Sequence, residues 1–287
     1  MKRNKQQGVT LIELMVAMVV SMVLIAGVGT VYLSSKRNYQ ARDQFSMMDE
    51  NARVALNSLK KHLEHAGYAA NGLFPLAHPF VVGSQPAWAA CSDGTSNKRT
   101  SSSMYLTQDG AVPAPPANVK DDAVGIAFLS DDTLFTDCTN SAVPAVCRSG
   151  QAPSSQGSLV YNTFTLDQPS TVEKNSVGDV IPALYCSGSA SANRQMVAQG
   201  VENIQLMYGV DSNMDGQVEQ YFNATGVGSN WDDVVSIKVG LLIKSLEPVL
   251  EKAEARTYAL LDTSVSVNDR YQRGVYTEVI HLRNRSR

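Results

Sequence analysis

The residues most able to do chemistry sit in one stretch, Asp211-Ser212-Asn213-Met214-Asp215-Gly216-Gln217-Val218-Glu219. Oxygen-bearing side chains fall at its first, third, fifth and ninth places, with glycine sixth. This is the front of a D-x-[DN]-x-[DN]-G calcium loop. In it the glycine makes the sharp turn and the seventh residue, here Gln217, offers its backbone carbonyl. Asp211, Asn213, Asp215, Gln217 and Glu219 are therefore the candidate calcium ligands. Two features depart from that pattern. The twelfth place is Phe222, so the bidentate glutamate that closes such loops is missing and Glu219 must close the site directly. The flanks have the pattern of strands, not helices. The competing reading is a plain hairpin, for which Asp215-Gly216 is a sufficient turn signal. Three carboxylates in one tight loop repel each other without a cation, which favours calcium in a structural role, pinning a turn between two strands.

Elsewhere the residue types exclude more than they offer. His62 and His65 stand three apart, but no H-E-x-x-H pattern surrounds them. With Lys60 and Lys61 they suit the negative end of a helix. There is no G-x-S-x-G, P-loop or Rossmann glycine pattern, so the chain reads as non-enzymatic with no cofactor beyond the candidate calcium. Lys and Arg number 24 against 27 Asp and Glu, a net charge of −3, which does not suit a general nucleic-acid binder. Cys91, Cys138, Cys147 and Cys186 form no C-x-x-C pair, so zinc and thioredoxin-like chemistry are poorly supported.

The N-terminus is the most organised part of the chain. Lys2, Arg3 and Lys5 precede Gly8, and an apolar run from Val9 to Leu33 follows with one ionisable residue, Glu13. At 1.5 Å per residue the run reaches about 37 Å, enough to span a hydrocarbon core with some tilt. The basic flank keeps the N-terminus cytoplasmic. Cleavage after Gly8 would give Val9 a free cationic amine. A carboxylate within an apolar span needs a partner. The amine of Val9 is about one turn from Glu13 on the same helix and points along the axis, so Glu13 of a neighbouring copy meets it better.

This pattern resembles the class III signal of type IV pilins: a basic leader, Gly8, a hydrophobic first residue, then Thr10-Leu11-Ile12-Glu13-Leu14. The resemblance implies that a prepilin peptidase cuts after Gly8 and methylates Val9, and that Glu13 registers each subunit against its neighbour. The family usually has Phe where this chain has Val9. Loss of the leader takes the net charge to −6, since 21 basic residues then face 27 acidic ones. A secretory signal would instead place a small-residue site after the apolar run, where none is found. The orientation puts all four cysteines in an oxidising compartment. They permit three connectivities; Cys138 with Cys147 closes a short loop, which would leave Cys91 with Cys186.

Four segments position these residues: a leader at 1–8, a transmembrane and assembly helix at 9–33, its amphipathic continuation at 34–67, and a β-rich periplasmic or extracellular part at 68–287. No proline occurs from Met1 to Phe74. Phe45, Met48, Ala52, Leu56, Leu59, Leu63 and Ala66 recur at helical spacing, so one helix should run from about Val9 to Ala66 and stop near Gly67. Residues 68–200 are rich in Ser, Ala, Gly, Pro, Thr and Asn, with strand candidates at 103–107, 124–129, 158–164 and 179–186. Alternation over 201–210 slips once between Val201 and Ile204. The run 234–243 is almost continuously apolar, as in a strand covered on both faces, and 276–282 reads as a final strand. The fold class is α+β: a long N-terminal helix packed on an antiparallel sheet.

Trp231, then Val234-Val235-Ser236-Ile237-Lys238-Val239, and the ending His281-Leu282-Arg283-Asn284 resemble the C-terminal half of PilW-type minor pilins. Loops of the DxDxDGxx[DE] kind also occur in pilus-associated proteins. The resemblance implies a minor pilin of the assembly-priming or tip-proximal complex, partnered by other minor and major pilins, the prepilin peptidase and the inner membrane. It implies an inner-membrane location with a periplasmic head before assembly, and the cell-surface pilus after it. Two alternatives share the anchor: an exposed adhesin or binding module, and a J-type pseudopilin of type II secretion. Tip pseudopilins often lack the glutamate, so Glu13 implies a subunit with another above it.

Overall fold

The computed structural model describes residues 10–69, 79–82, 106–114, 119–145, 148, 159–166, 173–189 and 194–284. Gly8 and Val9, the expected processing site, lie outside the described residues, as do Cys91 and Cys147.

Helix α1 (Leu11–Leu63) is unbroken over 53 residues. Gly27 and Gly29 lie in open space, so they lower helix propensity without marking a close contact. The helix gives way at Gly67, whose φ of +74° is left-handed and whose N–H donates to the Ala127 carbonyl at 2.9 Å. The two halves of α1 differ in what they touch. No side chain from Leu11 to Asp43 is buried, and the helix first meets the head at the Arg37–Glu251 pair, so about 39 Å of it, residues 11–36, stands clear. Beyond that point Gln44, Met48, Ala52, Ala55, Leu59 and Leu63 form one buried stripe. Phe45, expected in the stripe, is 46% exposed. Gln44 is buried there instead, because its Oε1 accepts the backbone N–H of Glu247 at 3.0 Å.

The first sheet is an antiparallel meander. Its order is β1 (Gln108–Ala114), β2 (Val119–Leu129), β3 (Leu159–Thr165), β4 (Ala183–Gly188) and β5 (Arg194–Gln199). Of the strand expected at 103–107, residues 103–105 lie outside the described residues and 106–107 are not strand; β1 spans Gln108–Ala114. Thr107 is spent on a tie instead: its N–H donates to Val81 at 2.7 Å and its hydroxyl to the Gly125 carbonyl at 2.8 Å.

The remaining elements are β6 (Val201–Val210), β7 (Gln220–Phe222), α2 (Ala224–Val227), a 3-10 turn at Asn230–Asp233, β8 (Val234–Lys244), β9 (Glu254–Leu260), β10 (Thr263–Asp269) and β11 (Arg273–His281). They make a second antiparallel sheet of order β11-β8-β6-β7 and a separate β9–β10 hairpin. The slip in the alternation of β6 is a register shift against β8 between Val201 and Asn203. Strand β8 is apolar on both faces because both are covered. Ile237, Val239, Leu241 and Ile243 join the core under α1. Leu242 packs with Leu260 and Val265 of the hairpin.

One main core unites the molecule. The α1 stripe meets Val124, Ile126, Phe164 and Leu184 of the first sheet and Ile204, Leu206, Tyr208 and Ile280 of the second. The fold is α+β, with the helix laid across antiparallel sheets.

Candidate functional site

The exposed half of α1 begins with a reciprocal cap. The Thr10 hydroxyl accepts the Glu13 N–H at 3.4 Å, and Glu13 Oε2 accepts both the Thr10 N–H and its hydroxyl at 2.9 Å. Thr-x-x-Glu at the head of an apolar run is a capping-box arrangement, a role for Glu13 beyond the inter-subunit one expected from the sequence. Glu13 thus orders its own helix start through one carboxylate oxygen. Oε1 takes part in neither Thr10 contact. Past this cap the apolar side chains face outward; Leu11 is 79% and Ile25 72% exposed. An apolar helix with none of its span buried is not the core helix of a soluble head.

The other end of α1 is tied to the chain terminus. Lys60 Nζ lies 2.9 Å from Glu278 Oε1, Arg283 pairs with Glu64 at 3.0 Å, and Asn284 Nδ2 donates to the carbonyls of Glu64 and Ala66 at 3.0 and 3.2 Å. The histidines do not serve as charges at this helix end. Burial pushes the His62 imidazole down to about 4 and lowers that of His65. Their rings are 6.1 Å apart, edge to face, and pack on Phe164 and Phe128 respectively. They are half-buried groups held neutral where this side of the last turn lies against the first sheet.

The acidic loop joins β6 to β7, so its flanks are strands as expected. Asp211 is buried at the end of β6, and its carboxylate organises the turn. Oδ1 accepts the Asp215 N–H at 3.1 Å and Oδ2 the Gly216 N–H at 2.8 Å. Asn213 Oδ1 also accepts from Asp215 at 2.9 Å, and Asp215 Oδ1 accepts the Gln217 N–H at 2.8 Å. Glu219 folds back across the loop, where Oε2 accepts the Ser212 N–H at 2.7 Å. Gly216 has φ of +83°, a conformation glycine adopts without penalty. One carboxylate oxygen from each of Asp211, Asp215 and Glu219 lies within 4.8 Å of the other two. Three such oxygens are hard donors of the kind calcium takes, and Asn213 and Gln217 are the further ligands that the sequence pattern offers.

The disulfide arrangement corrects the sequence reading. Cys138 is bonded to Cys186, with Cα atoms 6.2 Å apart. It is bonded to neither Cys147 nor Cys91. Cys186 is on β4, paired with Phe164 of β3, and the Cys138 N–H donates to Asn162 Oδ1 on the same strand. The β3–β4 register brings together two cysteines 48 residues apart.

Two buried polar sites had no single-residue signal. Arg273, at the start of β11, is almost fully buried and grips two carboxylates. Nη2 is 2.8 Å from Glu202 Oε1 and 2.6 Å from Asp269 Oδ2; Nη1 is 2.7 Å from Asp269 Oδ1, and Nε also donates to Glu202. This fork fastens β11, β6 and β10 at one corner. The second site is where β2 meets β6. Asp122 accepts the Gly110 N–H at 2.9 Å and the Leu206 N–H at 2.8 Å. Both carboxylate oxygens of Asp121 are buried without a hydrogen-bond partner. Burial pushes Asp121 up to about 8, reinforced by the charges of Asp122 and Glu202. Burial pushes Asp122 up to about 7, offset in part by its two backbone donors and reinforced by Asp109 and Asp262.

A long capped helix, exposed and apolar over its first half and packed on antiparallel sheets over its second, defines a pilin-type subunit. The comparisons agree. Residues 3–29 match the prokaryotic N-terminal methylation motif, and residues 171–284 match the family Type IV Pilus-assembly protein W. Over residues 171–284 the chain is thus similar to the PilW family, and its N-terminus carries a methylation motif. It is similar in structure to the type IV-like pilin TTHA1219 from Thermus thermophilus, over 86% of this chain and 100% of that one, at 15% identity and a TM-score of 0.40. No curated protein matches the chain.

Proposed function

We propose that this chain is a minor pilin, a scarce structural subunit of the assembly-priming or tip-proximal complex of a type IV pilus. The observation that carries the reading is the union in one chain of the methylation motif, a C-terminal half similar to PilW and about 35 Å of exposed apolar helix. Such a helix needs lipid or other helices around it. In this reading the prepilin peptidase cuts after Gly8 and methylates Val9. The helix then sits in the inner membrane with its head in the periplasm, and later enters the filament beside other minor and major pilins. The head above 200 residues suits a subunit used a few times, not one repeated along a thin fibre.

Glu13 fits both stages. One oxygen holds the cap of its own helix, and the other can receive the amine of an adjacent subunit. N-terminal sequencing with intact mass of the mature protein tests the processing: the expected start is methylated Val9, and a chain retaining residues 1–8 overturns the reading. Glu13→Ala should be processed normally and fail to enter filaments. Normal incorporation of that variant would remove the pairing. Deletion that abolishes filaments favours the structural role, whereas intact filaments that no longer attach favour an adhesin.

The convergence of Asp211, Asp215 and Glu219 supports a second element of function. In this reading calcium binds loop 211–219 and stiffens the β6–β7 edge of the head.

A further inference from the structure

Strand β11 (Arg273–His281) is the outer member of its sheet, with β8 on one side and no strand among the described residues on the other. The two ends of the β8–β11 ladder fix its phase. Ser245 N–H donates to the Gln272 carbonyl at 2.8 Å, and Leu282 N–H donates to the Val235 carbonyl at 2.9 Å. An antiparallel ladder bonds alternate residues, so the even-numbered residues of β11 spend their backbone groups on β8. Val275, Thr277, Val279 and His281 turn theirs to the open edge, where no backbone group among the described residues meets them. The side chains divide in the same way. Tyr276 donates to Asp49 and Glu278 pairs with Lys60, so the even-numbered face lies on α1. Val275 and Val279 are each 40% exposed on the other face, with Thr277 exposed between them.

An open edge is a template for another strand, and proteins blunt such edges with proline, charge, bulges or short length. The other edges of the two larger sheets are treated in this way. β1 contains Pro113 and a register shift, β5 has a register shift and opens on exposed Arg194, and β7 has three residues. β11 pairs with β8 over nine residues without a shift, and it contains neither proline nor lysine. Its edge is a straight row of unspent donors and acceptors beside two exposed valines. Backbone groups in that row are matched by an extended strand, and the valines by apolar side chains at alternate positions of it.

Direction narrows the occupant. Tyr276, Glu278 and Asn284 meet Asp49, Lys60 and Glu64 in turn, so β11 runs along α1, away from its exposed apolar half. Two β11 strands joined antiparallel would point their α1 helices in opposite directions, which two copies held in one membrane do not allow. A second copy is left with parallel pairing, the weaker form. A different subunit whose edge strand runs towards the membrane pairs antiparallel without that conflict.

We propose that the open edge of β11 is an assembly surface that takes an edge strand of a different pilin-type subunit, added antiparallel, with apolar side chains beside Val275 and Val279. The proposal rests on the reading of this chain as a filament subunit anchored through α1.

The test uses full-length chains in cells lacking the wild-type copy, with incorporation into sheared filaments measured against mature chain in the membrane. Thr277→Pro removes one outward N–H and leaves the bonds to β8 in place, a setting in which a sheet edge accepts proline. Thr277→Val keeps the N–H. The proline variant should incorporate about tenfold less than wild type, and the valine variant as well as wild type. Val275→Lys with Val279→Lys leaves the backbone intact and should show the same loss with an unchanged melting curve, so a proline variant that fails to fold does not decide the matter. A benzophenone side chain at position 277 identifies the occupant: the expected crosslink in filaments is to an edge strand of a different subunit. A crosslink within this chain, a crosslink between two copies of it, or none at all overturns the proposal. So does undiminished incorporation of the folded proline variant or of the double lysine variant. In each of these cases wild type still enters filaments and the subunit reading stands. Wild type missing from filaments refutes that reading and the proposal together.

Discussion

Loop 211–219 holds three carboxylates within 4.8 Å of one another, and a divalent cation would turn that repulsion into cohesion. Asp215→Ala is the sharper perturbation. Asp215 is exposed, and its side chain serves the loop mainly through one bond to the Gln217 N–H at 2.8 Å. Its removal should therefore cost the metal-free head little. Asp211→Ala differs, because Asp211 is buried and holds two backbone donors. That variant should lose about 2–4 kcal/mol with or without calcium, from two hydrogen bonds to a charged acceptor. Sites of this kind outside the cell have dissociation constants of about 10⁻⁴–10⁻³ M. At about 10⁻⁴ M, millimolar calcium stabilises the native state by roughly 1.4 kcal/mol. For a head of this size that raises the melting temperature by about 3–6 °C. The assay is calorimetry on the head from Ser34 onward, titrated with calcium and then melted with and without it. Wild type should bind and shift; Asp215→Ala should melt like metal-free wild type and ignore calcium. No heat of binding and no shift at millimolar calcium would leave a hairpin turn and refute the ligand argument.

Three further outcomes follow from the buried groups. Arg273→Ala strands the buried carboxylate of Glu202 and should cost about 3–5 kcal/mol, read as a loss of roughly 6–20 °C in melting temperature; Glu202→Gln in the same chain should recover part of it. Asp121 and Asp122, held up at about 8 and about 7, keep protons in the folded head that the unfolded chain releases near pH 4. Their contribution is therefore present at low pH and is lost as pH rises through 7 and 8. His62, held down at about 4, opposes this only below about pH 6.5. Between pH 6.5 and 8 the head should thus lose about 2 kcal/mol, and Asp121→Asn should flatten the fall; a melting temperature that rises over this range would contradict the assignment. Peptide mapping without reduction should recover a Cys138–Cys186 link, and a Cys138–Cys147 link would contradict the β3–β4 register.

What the sequence determined by itself was local. A proline-free run with helical spacing is enough to specify α1, because each turn is closed by residues four apart. The strand flanks of the acidic loop and the slip in β6 were legible for the same reason, as was the two-faced burial of β8, whereas the Thr10–Glu13 cap was local but not read. The β9–β10 hairpin was legible in principle through the alternation Ser264-Val265-Ser266-Val267. Its few apolar residues, of which Leu260 and Val265 are buried, made that signal weak.

Which distant groups meet was settled by the packing of the sheets. A short loop closes at lower entropic cost than a long one, and that favoured Cys138 with Cys147. Sheet register outweighs the entropy by placing Cys186 beside Cys138. Arg273 and Glu202 are 71 residues apart, and no periodicity links them. The histidines of the last α1 turn carried a helix-end signal, yet the face they occupy is set by Phe164 and Phe128 on the first sheet. Asp121 looks like any surface carboxylate in the sequence, and its burial exists only because β2 is brought against β6. Local conformation is set by neighbours in the chain, whereas ionisation, disulfide pairing and burial are set by neighbours in space.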